Sequence, residues 1–365
     1  MNAMKLNHLI IISPTITPAI CGVSDYAYRV GEQLFQTGVF TKIAFGVDRV
    51  PKRKAKLSFV VKHWKAALKE IEADTCIFIN YTPLGFSRFG YPSKFLNELQ
   101  KTKNKFYSAK FFIMFHEIWN GNPKLRLHLK MIDRLSKKSC LRLVDIANGV
   151  ATVTYHQKEK LKNERRNITI SIQPIGANIS APPDINVLKT NRQHGVWVIF
   201  GLPHTRLWTL KKNITLIREL VGRGNIIQIK AIGPKSGQYS NEEIKFANEN
   251  LGKETYIQLG VLSDSHISYE LLKVEGAFVG QTYDSITKSG TFLSIVAHGV
   301  PVICDVDKAL QDPPSDGLFR PKELLNGYDI VMKKSNDRTK KMLEWYHKRR
   351  TWKAIGENLT DWMSQ

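Results

Sequence analysis

Residues 196–221, VWVIFGLPHTRLWTLKKNITLIRELV, contain the unit from which this chain is built. The five apolar residues at 196–200 predict a buried strand, and the leucine and isoleucine spacing of residues 213–221 predicts an amphipathic helix. Gly201 opens the connection between them. A strand, a glycine and a helix in this order are typical of a β-α unit in a parallel sheet.

The same unit recurs along the whole chain, with a break predicted at the linker Ala181-Pro182-Pro183. Apolar strand candidates alternate with helix-length segments on both sides of that linker. The predicted strands are residues 9–13, 42–45, 75–80, 111–115 and 150–154, then 196–200, 226–232, 256–259, 276–279 and 300–304. The sequence therefore predicts an α/β protein with two Rossmann-like domains, residues 1–180 and 181–336, followed by a helical stretch over residues 337–365.

Composition and charge narrow the class of protein. The chain has 365 residues, of which 42% are hydrophobic, enough to bury a sizeable core. Its net charge of +22 is unevenly distributed, with +17 in residues 1–180 and +5 in residues 181–365. Such a positive field attracts nucleic acid, anionic lipid or phosphorylated substrates, although charge runs also form ordinary solvated faces.

Cysteine spacing and hydropathy bear on the compartment. The four cysteines are dispersed, without a C-x-x-C pair, which argues against a zinc site or a disulfide scaffold and indicates a reducing compartment. No apolar run approaches the ~20 residues of a membrane span. The N-terminal apolar run is too short for a signal peptide. We therefore expect a cytoplasmic protein.

Ligands of open α/β sheets bind beyond the carboxyl ends of the strands, so the residues that follow each predicted strand are candidates for a site. In the first half, Gly22 precedes a helix expected over residues 24–36, with Ser24 as its N-cap, and leaves backbone N–H groups open to a ligand. His116 and Glu117 follow a very apolar strand. His116 is either part of a site or a hydrogen-bonded structural residue.

The second half offers cations and hydroxyls at equivalent places. Arg206 and Lys212 lie just before the predicted helix, where two cations form a receptor for a diphosphate. Residues 287–291, TKSGT, offer hydroxyls and free N–H groups at another helix start. The chain has neither a G-x-G-x-x-G fingerprint nor a P-loop. The D-x-D sequence at residues 305–307 resembles a metal motif, but nothing nearby completes a metal site, so we expect a loop there.

These pieces, taken in order, resemble a GT-B glycosyltransferase, most closely the retaining family 4 type. The resemblance spans nearly the whole chain. It rests on CGVSDY at 21–26, HE at 116–117, IGAN at 175–178, Arg206 with Lys212-Asn213, GVLS at 260–263 and AHGVP at 297–301. Each of these motifs is short, and the resemblance is specific because they occur in the order typical of the family.

The resemblance implies two Rossmann-like domains that face each other across a cleft. The first would bind the acceptor, the second the nucleotide sugar, and the last helix would return to the first domain. The leaving nucleoside diphosphate would be neutralised by cations and a helix start, so neither a metal nor another cofactor is expected. The implied catalytic residues are His116, Arg206 and Lys212; the donor-binding residues are Gly22, Gly260, Val261, Leu262, Lys288, Ser289, Gly290 and Thr291; the acceptor-side residues are Asp25, Tyr81 and Glu117.

One departure from the family pattern lies in the donor loop. The family usually carries two glutamates separated by seven residues, the first contacting the sugar and the second the ribose. This sequence has Ile286 and Ser294 at those positions. Residues 288–291 are expected to replace the pair, because their backbone and hydroxyls suit a diphosphate and Lys288 adds a third cation.

Two other interpretations remain open. The charge of +22 also fits a nucleic-acid-binding protein, but the chain has no RNP motif, zinc finger or basic stripe interleaved with stacking aromatics. The missing glutamates also fit a GT-B protein that binds sugar nucleotides without turnover.

A basic helix predicts a further partner. In residues 124–142, KLRLHLKMIDRLSKKSCLR, the residues on one helical face are Leu125, Leu129, Ile132 and Ser136, and those off it are Lys130, Arg134, Lys137 and Lys138. Such a helix rests on an anionic membrane or packs its leucines inward. The predicted partners are therefore a nucleotide-diphosphate sugar, a glycan, lipid-linked or small-molecule acceptor, and the inner face of a membrane.

Overall fold

The computed structural model describes residues 8–16, 21–50, 59–72, 74–182, 192–305, 312–333 and 335–364, without the side chains of residues 283 and 284. Pro183 of the predicted linker and Asp307 of the D-x-D sequence lie outside these residues. The chain divides into two compact units. Unit 1 is Met1–Ile175 with Trp352–Gln365, and unit 2 is Gly176–Thr351.

Unit 1 is built around a seven-stranded parallel sheet. Its strands are β1 His8–Ser13, β2 Lys42–Val47, β3 Val60–His63, β4 Thr75–Tyr81, β5 Lys110–Phe115, β6 Gly149–Thr152 and β7 Ile170–Ile172. Its first helices are α1 Gly22–Gln36, α2 Trp64–Ala67, α3 Pro83–Phe86, α4 Ser93–Lys105, α5 Leu127–Ile146 and α6 Tyr155–Glu164. The strand order is β3-β2-β1-β4-β5-β6-β7, and every pairing is parallel. The central strands are continuous apolar runs because helices cover both faces of the sheet.

Unit 2 repeats this plan with five parallel strands. They are β8 Gln193–Phe200, β9 Gln228–Ile232, β10 Tyr256–Gly260, β11 Val274–Val279 and β12 Val302–Cys304. The helices are α7 Pro203–Gly222, α8 Gln238–Leu251, α9 Asp264–Lys273, α10 Tyr283–Ile286, α11 Gly290–Ala297, α12 Pro321–Lys333 and α13 Ser335–Arg349. The order β10-β9-β8-β11-β12 is that of a Rossmann half, and the direction of winding changes between β8 and β11. The predicted fold class, α/β with two Rossmann-like domains, is confirmed.

A last helix, α14 Trp352–Ser364, completes unit 1 by packing on α1. Its apolar residues Ile355, Leu359 and Met363 join the core on that face of the sheet. The Trp362 ring lies edge-on to Phe112, with 5.1 Å between ring centroids.

Two predicted helix starts differ from the structure. Helix α7 begins at Pro203, well before residue 213. Proline suits the first helical position because its ring fixes φ near the helical value. It also lacks an N–H, and an N–H at that position would have no acceptor within the helix. The segment expected to connect strand and helix is therefore helical. Helix α1 begins at Gly22, so Cys21 occupies the N-cap position and Ser24 is buried inside the first turn.

The predicted boundaries also differ. The first falls after Ile175 instead of residue 180, and the stretch over residues 337–365 is two helices that belong to different units. Contacts on either side of the break explain the division. Arg350 pairs with Asp312 of unit 2 at 2.6 Å, whereas the Trp352 ring packs 5.9 Å from that of Tyr26 in unit 1.

Candidate functional site

The carboxyl edge of the unit 2 sheet has little side-chain bulk between its turns. Strands β8, β9 and β10 lead into or end at Gly201, Gly233 and Gly260, all with positive φ. A Cβ on Gly233 would lie 2.1 Å from the Gly201 carbonyl oxygen, so only glycine permits this approach. Close backbone turns at a switch point between strands are where α/β sheets bind nucleotides.

The prediction that Arg206 binds a diphosphate is wrong, because its side chain is 0% exposed and fully engaged. The Arg206 Nε and Nη2 atoms each donate to a Glu243 carboxylate oxygen at 2.8 Å. Nη1 donates to the Gly201 carbonyl at 2.7 Å, and Nη2 also donates to the Pro234 carbonyl at 2.9 Å. The Tyr256 hydroxyl donates to Glu243 at 2.5 Å. Arg206 therefore fixes the turns after β8 and β9 and does not face a ligand.

Two lysines lie at the same edge. Lys212 is in the middle of α7 instead of before a helix, and its Nζ is 3.9 Å from the Oδ2 of Asp305, which follows β12. Sequence reasoning missed Lys235, an exposed residue after β9. The Lys235 side chain lies over Gly260, since a Cβ there would be 3.3 Å from the lysine Cε. Its position as the first cation after a predicted strand was the signal that could have found it.

The segment Ser289–Thr291 begins an α-helix, as the sequence predicts. Ser289 caps α11 by accepting a hydrogen bond from the Phe292 N–H at 3.2 Å. Its Oγ also accepts from Gln281 Nε2 at 3.2 Å and lies 3.1 Å from Thr291 Oγ1. The first N–H groups of a helix have no intrahelical acceptor, and the helix dipole is positive there. This turn, with Lys288 and Gly290 beside it, is suited to an anion.

Two segments separated in the sequence meet at this helix start. The Asn178 N–H donates to the Gly290 carbonyl at 3.2 Å, and a Cβ on Gly290 would lie 1.9 Å from Asn178 Oδ1. A side chain at residue 290 would therefore require the Asn178 side chain to move. The Ile179 N–H donates to Ser294 Oγ at 3.0 Å, which in turn donates to the Gly290 carbonyl at 2.7 Å.

The two positions without glutamate both lie in the interior. Ile286 is a fully buried core residue, and Ser294 is fully buried in the hydrogen bonds just described. Neither side chain therefore presents a polar group at this edge, where the helix start and the lysines supply the N–H groups and positive charges.

Exposed apolar side chains surround this edge. The turn from β10 to α9 carries Gly260, Val261 and Leu262, and Val261 is exposed. Trp208 is 57% exposed while its Nε1 donates to the Gly280 carbonyl at 3.1 Å, beside the end of β11. Tyr239, also exposed, lies edge-on to His204 with 6.0 Å between ring centroids. Exposed aromatic faces such as these can stack on planar groups.

In unit 1, the start of α1 and the end of β5 come together. Gly22 is the exposed first residue of α1, with nothing within 4 Å of the position of a Cβ, and Asp25 lies in the same turn. The Tyr26 ring lies edge-on to His116, with 4.8 Å between ring centroids. The structure therefore brings Gly22, Asp25 and His116 to one edge of the sheet.

His116 lies in a buried polar cluster. Its Nε2–H donates to Asn80 Oδ1 at 3.0 Å, and Gln157 Nε2 donates to the His116 carbonyl at 3.0 Å. Within the described ranges, Ser24 Oγ, Tyr26 Oη and Asn80 Nδ2 are buried without a hydrogen-bond partner. Burial raises the pKa of Tyr26, which keeps its hydroxyl protonated. The cluster therefore has hydrogen-bonding capacity to spare.

The acceptor-side prediction for Tyr81 is wrong. Its ring is fully buried and stacks on Phe86, with 5.4 Å between centroids, and its hydroxyl donates to Ser139 Oγ at 2.9 Å. Burial also raises the pKa of Tyr81. Glu117, which follows His116, is exposed and remains a candidate.

The N-terminal half of α5, residues 127–134, stands away from the core and is called the α5 tip below. Leu127 is 85% and Met131 56% exposed, next to exposed Lys130 and Arg134. Buried residues of this helix begin at Ser136, so the first leucines do not pack inward. Among the described residues, none of the helices has the length and apolar character needed to cross a membrane.

No protein-family model matches the chain, and no curated protein matches its sequence significantly. Solved structures do match. HepE from Anabaena in complex with UDP and glucose is 12% identical, with a TM-score of 0.65 over 99% of this chain and 100% of that one. Sucrose-phosphate synthase from Thermosynechococcus elongatus is 12% identical, with a TM-score of 0.64 over 97% and 98%. Trehalose 6-phosphate synthase from Burkholderia multivorans is 8% identical, with a TM-score of 0.64 over 98% and 96%. At these identities the likeness establishes the fold, that of the GT-B glycosyltransferases.

Proposed function

We propose that this protein is a glycosyltransferase that moves a sugar from a nucleoside-diphosphate donor to an acceptor hydroxyl. The observation that carries the proposal is the capped helix start, with lysines near it, at the carboxyl edge of unit 2. There, the capped start of α11 is joined through Gln281 to the end of β11, where the winding of the sheet changes. Helix starts at such points bind phosphate groups.

The donor would be held at three places. Its diphosphate would accept hydrogen bonds from residues 289–291 and lie near Lys212, Lys235 and Lys288. Its base would stack on exposed aromatic surface, for which Trp208 is the best placed. The turn over residues 260–262 would meet the base through its backbone. UDP is the first nucleotide to test, because HepE was solved with it.

The chemistry follows from these charges. The bond between the anomeric carbon and the diphosphate oxygen breaks, and the acceptor hydroxyl forms the new bond and loses its proton. Negative charge grows on the leaving oxygen, which preorganised cations and N–H dipoles stabilise. We therefore propose transfer without a metal ion or other cofactor. We also propose retention, with the acceptor attacking the face from which the diphosphate leaves and the diphosphate taking its proton.

We assign the acceptor to unit 1. His116, with Asn80 and Tyr26 around it, offers a polar cluster to sugar hydroxyls, and Asp25 and Glu117 lie at the same edge. A glycan or lipid-linked acceptor suits the α5 tip, whose exposed leucines and cations would rest on an anionic membrane. On this proposal the protein acts at the cytoplasmic face of that membrane.

Donor binding and turnover test the proposal together. We would titrate UDP into the protein by calorimetry and follow UDP release from UDP-sugars, with and without EDTA. We expect saturable UDP binding and sugar-dependent release that EDTA leaves unchanged. Lys235→Ala and Lys288→Ala should each weaken the binding of UDP about 10- to 100-fold, because charge-assisted hydrogen bonds contribute about 1.5–3 kcal/mol.

Lys245→Ala is the matched control, since Lys245 is an exposed lysine of unit 2 on α8 whose Nζ lies 3.9 Å from Glu249 Oε1. It should bind UDP like the parent. Equal affinity in all three variants would remove the site assignment. UDP binding without any turnover would favour a non-catalytic sugar-nucleotide protein. Steeply salt-dependent binding of RNA or DNA, with no response to nucleotide, would favour the nucleic-acid interpretation.

A further inference from the structure

A cavity in unit 2 lies at the amino edge of the sheet, opposite the carboxyl edge described above. It encloses about 300 Å³, which is at the small end of ligand pockets. Its walls come from the starts of β8 and β11, at His194 and Glu275, from Arg192, and from the first two turns of α13. A strand such as β11 spans roughly 20 Å, so the cavity is well separated from the edge discussed above.

An unpartnered hydroxyl lines this cavity. Thr339 is 7% exposed, and among the described residues its Oγ1 has no hydrogen-bond partner. A buried hydroxyl without a partner destabilises the folded state, so a group that accepts its hydrogen bond is expected in the space it faces.

The start of a long helix faces the same space. Ser335 and Asn336 are the first residues of α13, which is 15 residues long, and both line the cavity. The N–H groups of a first helical turn have no intrahelical acceptors, and the dipole there favours a negative charge. Thr339 follows one turn later, so its hydroxyl and the helix start converge on one place.

A partly buried guanidinium, that of Arg192, supplies the cation. Arg192 Nη1 donates to the Val274 carbonyl at 2.7 Å, and Nη2 donates to the carbonyls of Gly299 and His298. A guanidinium has five N–H donors, so the hydrogen bonds to these carbonyls orient it and leave other N–H groups for a ligand. Burial lowers the pKa of Arg192 to about 10, so it still carries its charge at neutral pH.

The acidic residue of the cavity is already engaged. One Glu275 carboxylate oxygen lies 3.2 Å from His194 Nδ1, and the other accepts from the Gly195 N–H at 2.6 Å. The Glu275 carboxylate therefore lies at the end of the cavity beside His194 and Gly195. The other end, beside α13, is the one suited to an anion.

We propose that this cavity is a second ligand site, for a small phosphate-bearing metabolite. The phosphate lies at the start of α13 between Arg192 and Thr339, and the rest of the ligand carries hydroxyls toward Glu275 and His194. At about 30 Å³ for each water-sized group, the cavity holds about ten non-hydrogen atoms. The proposal does not depend on the glycosyltransferase assignment.

The test is calorimetric titration of the full chain with inorganic phosphate and with glycerol 3-phosphate, in a phosphate-free buffer. Each titration is run with and without saturating UDP, and glycerol serves as the uncharged comparison. We expect saturable binding of glycerol 3-phosphate that UDP does not displace, tighter than that of phosphate, and none of glycerol. Binding that UDP abolishes, or none up to about 20 mM, overturns the proposal.

Two variants localise the binding. Thr339→Val keeps the shape and removes only a hydroxyl for which the described part of the chain offers no partner, so it should fold like the parent and bind at least about fivefold more weakly. Asn336→Asp places a negative charge at the helix start, which favours the helix but repels an anion, and should weaken binding about tenfold or more. Asn326→Asp, the same change at an exposed position of α12, is the control and should bind like the parent. Parent-like binding by both cavity variants overturns the proposal.

Discussion

Arg206 is the residue whose role differs most from its sequence interpretation. Its guanidinium lies between Glu243 and the turns after β8 and β9, with no exposed surface. A buried ion pair stabilises only while both partners are present, because removing one leaves an uncompensated charge in the interior. Arg206 therefore contributes to the stability of unit 2 and to the shape of its carboxyl edge.

We predict that Arg206→Met lowers the free energy of unfolding of unit 2 by about 3–5 kcal/mol, because it leaves the Glu243 carboxylate unpaired. Urea denaturation measures the change. Adding Glu243→Met to that variant should recover part of the loss, since the unpaired charge is then gone. Arg218→Met, at an exposed arginine of the same helix, is the control and should cost little. Parent-like stability of Arg206→Met would contradict this role.

The roles that could be predicted from the sequence are those of residues whose partners lie near them in the chain. The start of α11 was predictable because Ser289 caps it through Phe292, three residues later. Arg206 and Tyr81 were not, since their partners Glu243 and Ser139 are 37 and 58 residues away. Their burial is set by tertiary packing, which a local pattern does not contain.

At the scale of elements, strands were the most predictable. Apolar runs such as β5 are recognisable because both faces are covered and no alternation is needed. Helix starts were less predictable. Helix α7 begins with Leu202 as its N-cap and Pro203 and His204 in its first turn, a sequence that resembles a loop until the proline is placed at the first helical position.

The α5 tip combines exposed apolar residues and cations, and we predict that it determines binding to anionic membranes. Each lysine or arginine near an anionic surface contributes about 1 kcal/mol, so Lys130→Gln with Arg134→Gln should reduce partitioning about 30-fold. Sedimentation with vesicles containing anionic lipid, at low and high salt, measures this. Binding should weaken as salt rises, because charges are screened over about 8 Å at physiological ionic strength.

The matched control for the α5 tip is Lys101→Gln with Lys105→Gln, which removes two exposed charges from α4 of the same unit. It should sediment much like the parent. Equal losses in the two double variants would mean that net charge alone drives binding, and parental binding by the α5 tip variant would exclude the tip as the contact surface.

At the scale of the whole molecule, each unit buries a histidine whose neutral form is favoured. Burial lowers the pKa of His298, with the Arg192 charge acting in the same direction. Burial also lowers the pKa of His8, aided by Lys42 and opposed by Glu72 and Glu70. Because the unfolded chain then binds these protons more readily than the folded one, stability is complete above the unfolded pKa of about 6.5 and falls as pH decreases below it.

We predict that the free energy of unfolding falls between pH 7.5 and pH 5.5, and that the fall is smaller in the double variant His8→Gln, His298→Gln. Denaturant unfolding at both pH values measures the difference. Comparison is made within each variant, because the substitutions also change stability at neutral pH. A parental pH dependence in the double variant would assign the effect to other groups.

Helix α14 has a consequence for how the protein is made. Unit 1 uses Trp352–Gln365, yet a ribosome delivers these residues only after all of unit 2. At ~5–20 residues per second, the wait lasts about 10–35 s. Throughout it, the surface around Phe112 and α1 that Trp362 and its neighbours will cover stays uncovered. A nascent unit 1 therefore carries exposed apolar surface, of the kind that chaperones bind, until the synthesis of unit 2 is complete.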